Sequence, residues 1–163
     1  GYPDGAFFLL RPLRDDRERA VFEAPAGAAF LVDAIDTRQG RRDARYLYLD
    51  PSLREIGRRE RPGAAFDPRT RPWYREAVSA AGPVLTAPYV FAATASPGVT
   101  LARRTPAGSV VGVDVTLGQV SRLLQAIRPV AGAAMALFDS AGLVLATSDP
   151  GERIVRTEGD VLS

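Results

Sequence analysis

Two arginines, two prolines and three aromatic residues share the nine positions Phe66-Asp67-Pro68-Arg69-Thr70-Arg71-Pro72-Trp73-Tyr74. Asp67 before Pro68 starts a turn, and Pro72 pushes Arg71 towards extended backbone while suiting the first turn of a helix. Arg71 therefore stands at a helix entrance, where unpaired backbone N–H groups and the positive end of the helix dipole favour an anion. A guanidinium there suits a carboxylate, held by two parallel hydrogen bonds. Trp73 offers an indole N–H or a wall, and Tyr74 a hydroxyl or a ring. The plainer alternative makes Trp73 and Tyr74 core anchors and Arg71 a structural ion pair.

A second constellation lies in Val110-Val111-Gly112-Val113-Asp114-Val115-Thr116. Strand alternation puts Val111, Val113 and Val115 on one face and Gly112, Asp114 and Thr116 on the other. Gly112 leaves room above the sheet. Asp114, in a valine run, must find a cation, hydrogen-bond donors or water. An ammonium ligand would serve, and so would an ion pair with Arg103 or Arg104. Tyr89 and Phe91 share one face of Ala87-Pro88-Tyr89-Val90-Phe91, and aromatic rings facing Asp114 would make a cage for a small cation. Ordinary core packing is the alternative, above all for Phe91.

Other chemistries find little support. The 163 residues include no cysteine and no histidine, which removes disulfides, thiolate nucleophiles, Cys/His zinc sites and imidazole-dependent triads. Without lysine the common phosphate-binding loop cannot occur. Asp15, Asp16, Glu55 and Glu60 are carboxylates in charged segments with nothing to single them out as an acid–base pair. The expectation is a non-enzymatic chain without a cofactor or metal.

All 21 basic residues are arginine, set against 19 acids. Residues 1–76 hold 15 Arg and 13 acids, and residues 77–163 hold 6 of each, with opposite signs interspersed. No concentrated basic stripe marks a nucleic-acid surface. No apolar run approaches the roughly 18 residues that span a bilayer. The abrupt beginning at Gly1 and a strand pattern barely begun near Leu162 read as a piece of a longer protein.

The elements that must position these residues follow from pattern. Strands are expected over Ala6–Leu13, Ala28–Ile35 and Ala44–Asp50, joined by polar hairpin tips at 14–19 and 36–43. Ser52–Pro62 looks too charged for a buried strand and reads as a short helix or irregular lid. A helix is expected over Pro72–Ala81, ended by Gly82-Pro83, then strands over Val84–Thr94, Val99–Thr105 and Ser109–Leu117 with turns at Ser96-Pro97-Gly98 and Pro106-Ala107-Gly108. Val120, Leu123, Leu124 and Ile127 define a helix over Gly118–Arg128, closed by Pro129. Ala133–Phe138 and Leu143–Thr147 flank the turn Asp139-Ser140-Ala141-Gly142 and open a second, smaller module, which residues 149–163 are too few and too polar to finish.

The ordered set Asp67-Pro68-Arg69-Thr70-Arg71-Pro72-Trp73-Tyr74, Thr86-Ala87-Pro88-Tyr89 and Gly112-Val113-Asp114-Val115 before a helix resembles the membrane-distal module of a double Cache sensor domain. The likeness spans roughly residues 6–128, and 138–146 resembles the opening of the membrane-proximal module. It implies an α+β fold, a PAS-like antiparallel sheet flanked by helices, with a distal module at 1–128 and a partial proximal one at 129–163. It further implies an extracytoplasmic, periplasmic portion of a bacterial inner-membrane receptor, joined to its own transmembrane and cytoplasmic output domains, and able to form a homodimer. Such modules bind amino acids or amines, which assigns Arg71, Trp73 and Tyr74 to a carboxylate, Asp114 to an amine, and Tyr89 to the lining. Phe66 stands where amino-acid binders of this type carry tyrosine. The missing hydroxyl donor costs about 1.5–3 kcal/mol, one to two decades in affinity, so an amine, a modified amino acid or a carboxylate enters beside a plain amino acid. The residues 7–13 are similar to sensors attached to bacterial adenylate or guanylate cyclases. A ligand-free structural or protein-interaction module is the competing expectation.

Overall fold

The computed structural model describes residues 1–38, 41–127, 130, 132–139 and 142–149, and the backbone of Thr157–Glu158 and Val161–Leu162. It divides into two compact units, Gly1–Gly82 with Arg103–Val111, and Pro83–Ala102 with Gly112–Ser163. The architecture is α+β, antiparallel sheets with a few helices, as the pattern predicts.

The first unit is built on four antiparallel strands in sequence order, β1 (Phe7–Pro12), β2 (Phe30–Arg38), β3 (Arg41–Leu49) and β4 (Glu55–Glu60). Period-two alternation brings Leu31, Ile35, Tyr46 and Tyr48 to one face, where Leu31 and Tyr48 close a core with Leu13, Phe22 and Ala28. Register pairs Asp33 with Tyr46, and Tyr46 with Arg59.

Three expectations are corrected here. Strands β2 and β3 continue through Asp36–Arg38 and Arg41–Asp43, where Arg45, opposite Ala34, donates diagonally to Asp36 at 2.6 Å. The segment 14–19 is not a bare loop but leads into helix α1 (Asp16–Val21), whose start Asp15 caps by accepting from the Glu18 N–H at 2.8 Å. Ser52–Pro62 is neither helix nor irregular lid. It contains β4, an edge strand on which charge is compatible with pairing, since alternate side chains reach solvent and the Arg59 guanidinium covers the Tyr46 ring at 5.3 Å. A one-turn 3-10 helix (Pro68–Thr70) then leads into α2 (Pro72–Ser79), which stops at Ala80, two residues before Gly82.

In the second unit the run Val84–Thr94 breaks into β5 (Val84–Leu85) and β6 (Tyr89–Val90), because Pro88 cannot donate to a ladder. Both pair with β7 (Pro97–Arg104), which also pairs with β8 (Val110–Thr116). Pro97-Gly98 thus opens a strand instead of making the turn, which falls just after Phe91, where Ala95 N–H reaches the Phe91 carbonyl at 2.9 Å. Helix α3 (Leu117–Ala126) begins with a capping box: Thr116 Oγ1 accepts from Gln119 N–H at 3.2 Å, and Gln119 Oε1 from Thr116 N–H at 2.9 Å. The expected end of this helix at Arg128 and Pro129 lies outside the described residues. Strands β9 (Ala136–Phe138) and β10 (Val144–Thr147) form a separate antiparallel pair, with Leu143 N–H donating to Asp139 Oδ1 at 2.9 Å in the turn; Ser140 and Ala141 lie outside the described residues. Short β11 (Thr157–Glu158) and β12 (Val161–Leu162) pair with one another, and Val161 pairs with Tyr89.

Candidate functional site

The first cluster belongs to the first unit. Asp67 caps the 3-10 turn by accepting from the Arg69 N–H at 2.9 Å, and the Arg69 fork closes on the same carboxylate, with Nε 3.0 Å from Oδ1 and NH2 2.7 Å from Oδ2. That fork, more than the backbone bond, brings the Asp67 carboxyl down to about 2. Arg69 is therefore a structural residue. Arg71, two positions on, has the extended backbone (φ −84°, ψ 147°) that a following proline demands, and it occupies the residue before α2 with no side-chain cap. Its carbonyl accepts from Tyr74 N–H at 3.2 Å and Arg75 N–H at 3.1 Å, so the helix starts where the sequence predicts.

Trp73 and Tyr74 are both buried and meet edge to face at 5.6 Å. Trp73 also lies 6.4 Å from Phe7, which packs 4.8 Å from Phe66. Phe66 thus contributes a ring to an apolar stack that offers no hydroxyl. Both aromatics after Pro72 are buried, as the core-anchor alternative expects.

The second cluster belongs to the second unit. Tyr89 and Phe91 are buried and meet edge to face at 5.2 Å, as strand alternation predicts. Phe91 lies on Gly98, whose missing Cβ would fall 2.3 Å from the Phe91 Cζ and 2.7 Å from the Val115 carbonyl oxygen. Gly98→Ala should therefore cost about 2–3 kcal/mol, because backbone is one of the neighbours that would have to move. Urea denaturation checks this; a loss under about 0.5 kcal/mol, the level of an ordinary surface change, shows that ring and strand are loosely held.

Asp114 departs from expectation in its surroundings. It is exposed rather than embedded, and Val111, Val113 and Val115 on the other face are exposed as well. Its Oδ1 accepts from the Thr100 hydroxyl at 2.7 Å, and that hydroxyl also lies 2.6 Å from the Tyr89 hydroxyl. Thr100 is 1 % exposed, and its N–H donates to Thr86 Oγ1 at 3.0 Å. The space over Gly112 is taken by Thr100, since a Cβ there would sit 3.0 Å from the Thr100 methyl carbon. Among the described residues, no group of three or more His, Cys, Asp or Glu is disposed to hold a metal, and no helix is long and apolar enough to cross a membrane.

Of the six residues singled out, the structure brings Arg71, Trp73 and Tyr74 together in one unit and Tyr89, Phe91 and Asp114 in the other. Sequence reading missed Thr100. The signal was present, because Thr105 N–H pairs with the Ser109 carbonyl at 2.7 Å around the turn. Thr100 lies five residues before Thr105 and Asp114 five after Ser109, which sets the two opposite each other.

No family model matches the chain. Adenylate cyclase 1 of Rhizobium meliloti (strain 1021) is 36% identical over 164 residues, which covers 98% of this chain and 25% of that protein. The methyl-accepting chemotaxis protein McpB of Bacillus subtilis (strain 168) is 38% identical over 72 residues, 43% of this chain and 11% of that protein. Among solved structures, the ligand-binding domain of the Pseudomonas fluorescens chemoreceptor CtaA, in complex with L-isoleucine, is 31% identical, with a TM-score of 0.46, and the match covers 68% of this chain and 47% of that one. The chain spans about a quarter of the cyclase and under half of the CtaA domain. These matches bear out the likeness to the sensor domains of bacterial receptors.

Proposed function

We propose that this sensor domain binds a small zwitterion, amine or carboxylate on the outer side of a bacterial inner membrane and passes the event to a cytoplasmic output domain. Arg71, with Trp73 and Tyr74, takes the carboxylate; Asp114 takes the amine, beside the rings of Tyr89 and Phe91. Residues 1–128 act as the membrane-distal module and 129–163 as the start of the proximal one, in a receptor able to dimerise. The observation that supports this reading above others is the place of Arg71 at the entrance to α2, next in the chain to the buried rings of Trp73 and Tyr74. Such an entrance suits a carboxylate. CtaA, described with L-isoleucine, is a protein of similar sequence whose ligand fits that chemistry.

A ligand at about 100 times its dissociation constant adds about 2.7 kcal/mol of stability. Thermal melting with the twenty protein amino acids, simple amines and small carboxylates should therefore reveal at least one compound that raises the Tm by several degrees, and calorimetry should return one site for it. The second reading, a protein-interaction module, is favoured by the exposed apolar residues Leu85, Leu101 and Val113, at 65%, 52% and 61% exposure. A panel that leaves the Tm unmoved throughout favours that reading and sinks the first.

A further inference from the structure

Asp114 presents an exposed carboxylate, but a carboxylate on a strand has rotamer freedom unless something holds it. The chain of contacts Tyr89–Thr100–Asp114 supplies that hold. Its polarity follows from a count of protons. An ionised Asp114 only accepts, so the single Thr100 hydroxyl proton must point to Asp114 Oδ1 at 2.7 Å. The Thr100 oxygen can then only accept from Tyr89, whose hydroxyl lies 2.6 Å away. Two neutral hydroxyls are thereby lined up on one carboxylate, each bond polarising the next. Thr100 itself is fixed by burial and by its N–H bond to Thr86.

We propose that Thr100 is a positioning residue that sets the domain's preference for ligands carrying a protonated amine, by orienting Asp114 through a hydroxyl relay from Tyr89. The proposal rests on the assignment of Asp114 to the ligand's amine. The relay commits the Tyr89 hydroxyl inward, where its ring is buried against Phe91, so the attraction at this end is that of the Asp114 carboxylate for a cation. Gly112 belongs to the same device, because a side chain there would press on the Thr100 methyl.

The test compares wild type, Thr100→Val, Thr100→Ser and Tyr89→Phe by calorimetry. The probes are the tightest-binding of the twenty protein amino acids and its deaminated analogue, which keeps the carboxylate and side chain. Thr100→Val keeps the shape and removes the donor; it should weaken the amino acid by about tenfold to a hundredfold and leave the deaminated analogue unchanged. Thr100→Ser should restore the preference, and Tyr89→Phe should lower it in the same direction by a smaller factor. Equal weakening of both probes assigns Thr100 a purely structural role and overturns the proposal, as does unaltered preference in Thr100→Val, or in Tyr89→Phe should Thr100→Val fail to fold. If the wild type binds the deaminated analogue as tightly as the amino acid, the assignment of Asp114 to an amine fails first, and that outcome is visible without any variant.

Discussion

Arg71→Ala should weaken any carboxylate-bearing ligand of this domain by about one to two decades while sparing an amine that lacks the carboxylate, because a hydrogen bond to a charged group contributes about 1.5–3 kcal/mol. Asp114→Ala should do the reverse, sparing a carboxylate that lacks the amine. On that assignment the two substitutions remove different charges, so the double variant should bind the zwitterion more weakly than either single variant. The Arg71 backbone is already set by Pro72 and by the carbonyl bonds that start α2, so α2 should persist in Arg71→Ala. Calorimetry with the zwitterion and its two truncated analogues, beside thermal melting of the unliganded variants, reads both effects. Binding that persists at wild-type strength in the double variant removes the chemical basis of the proposed site.

The parts of this arrangement that were legible in the sequence are those governed by local covalent geometry. Pro72 dictates extended backbone at Arg71 and a helix after it, and the structure shows both. Thr116 and Gln119 cap a helix whose apolar spacing is readable over Val120, Leu123 and Leu124. What was misread depended on partners distant in the chain. Glu55–Glu60 looks too charged for a strand until β3 is beside it, whereupon Arg59 covers Tyr46 and its other charges face water. Pro97-Gly98 carries a turn signature, yet Gly98 is there to admit the Phe91 ring, a packing requirement with no local mark. Asp114 was found by its oddity among valines, whereas Thr100 is unremarkable in a strand and acquires meaning only through the hairpin register. The fold class and the charged ends of the candidate site follow from residue type and spacing; the hydroxyls that orient a charge do not.

Arg61→Ala should destabilise the first unit by about 3 kcal/mol at neutral pH, and the deficit should shrink on acidification. Arg61 donates to Asp33 Oδ1 at 2.7 Å, with side chains 25% and 11% exposed, and its guanidinium lies 4.2 Å from the centre of the Tyr46 ring. Removing one member of a largely buried ion pair leaves the other charge uncompensated, which typically costs about 3–5 kcal/mol; partial exposure of Arg61 sets the lower end here. Burial raises the Asp33 carboxyl above its ordinary value, and Arg61, followed by the weaker influence of Arg11, opposes that rise. A raised folded-state value means that the native form binds its proton more readily than the unfolded chain, so ionising Asp33 costs stability as pH climbs through that value. Without Arg61 the value moves further up and the cost grows, so wild type and variant diverge most at neutral and alkaline pH. Below the ordinary carboxylate range Asp33 is protonated in both states, and only the lost packing against Tyr46 separates the two proteins. Asp33→Ala added to Arg61→Ala should recover part of the loss at pH 8, because no lone carboxylate then remains in the sheet. Urea denaturation of wild type and the two variants at pH 4 and pH 8 checks the sign, and a deficit of equal size at both pH values would falsify the assignment of Arg61 as the counter-charge that lets β2 carry an aspartate on its buried face.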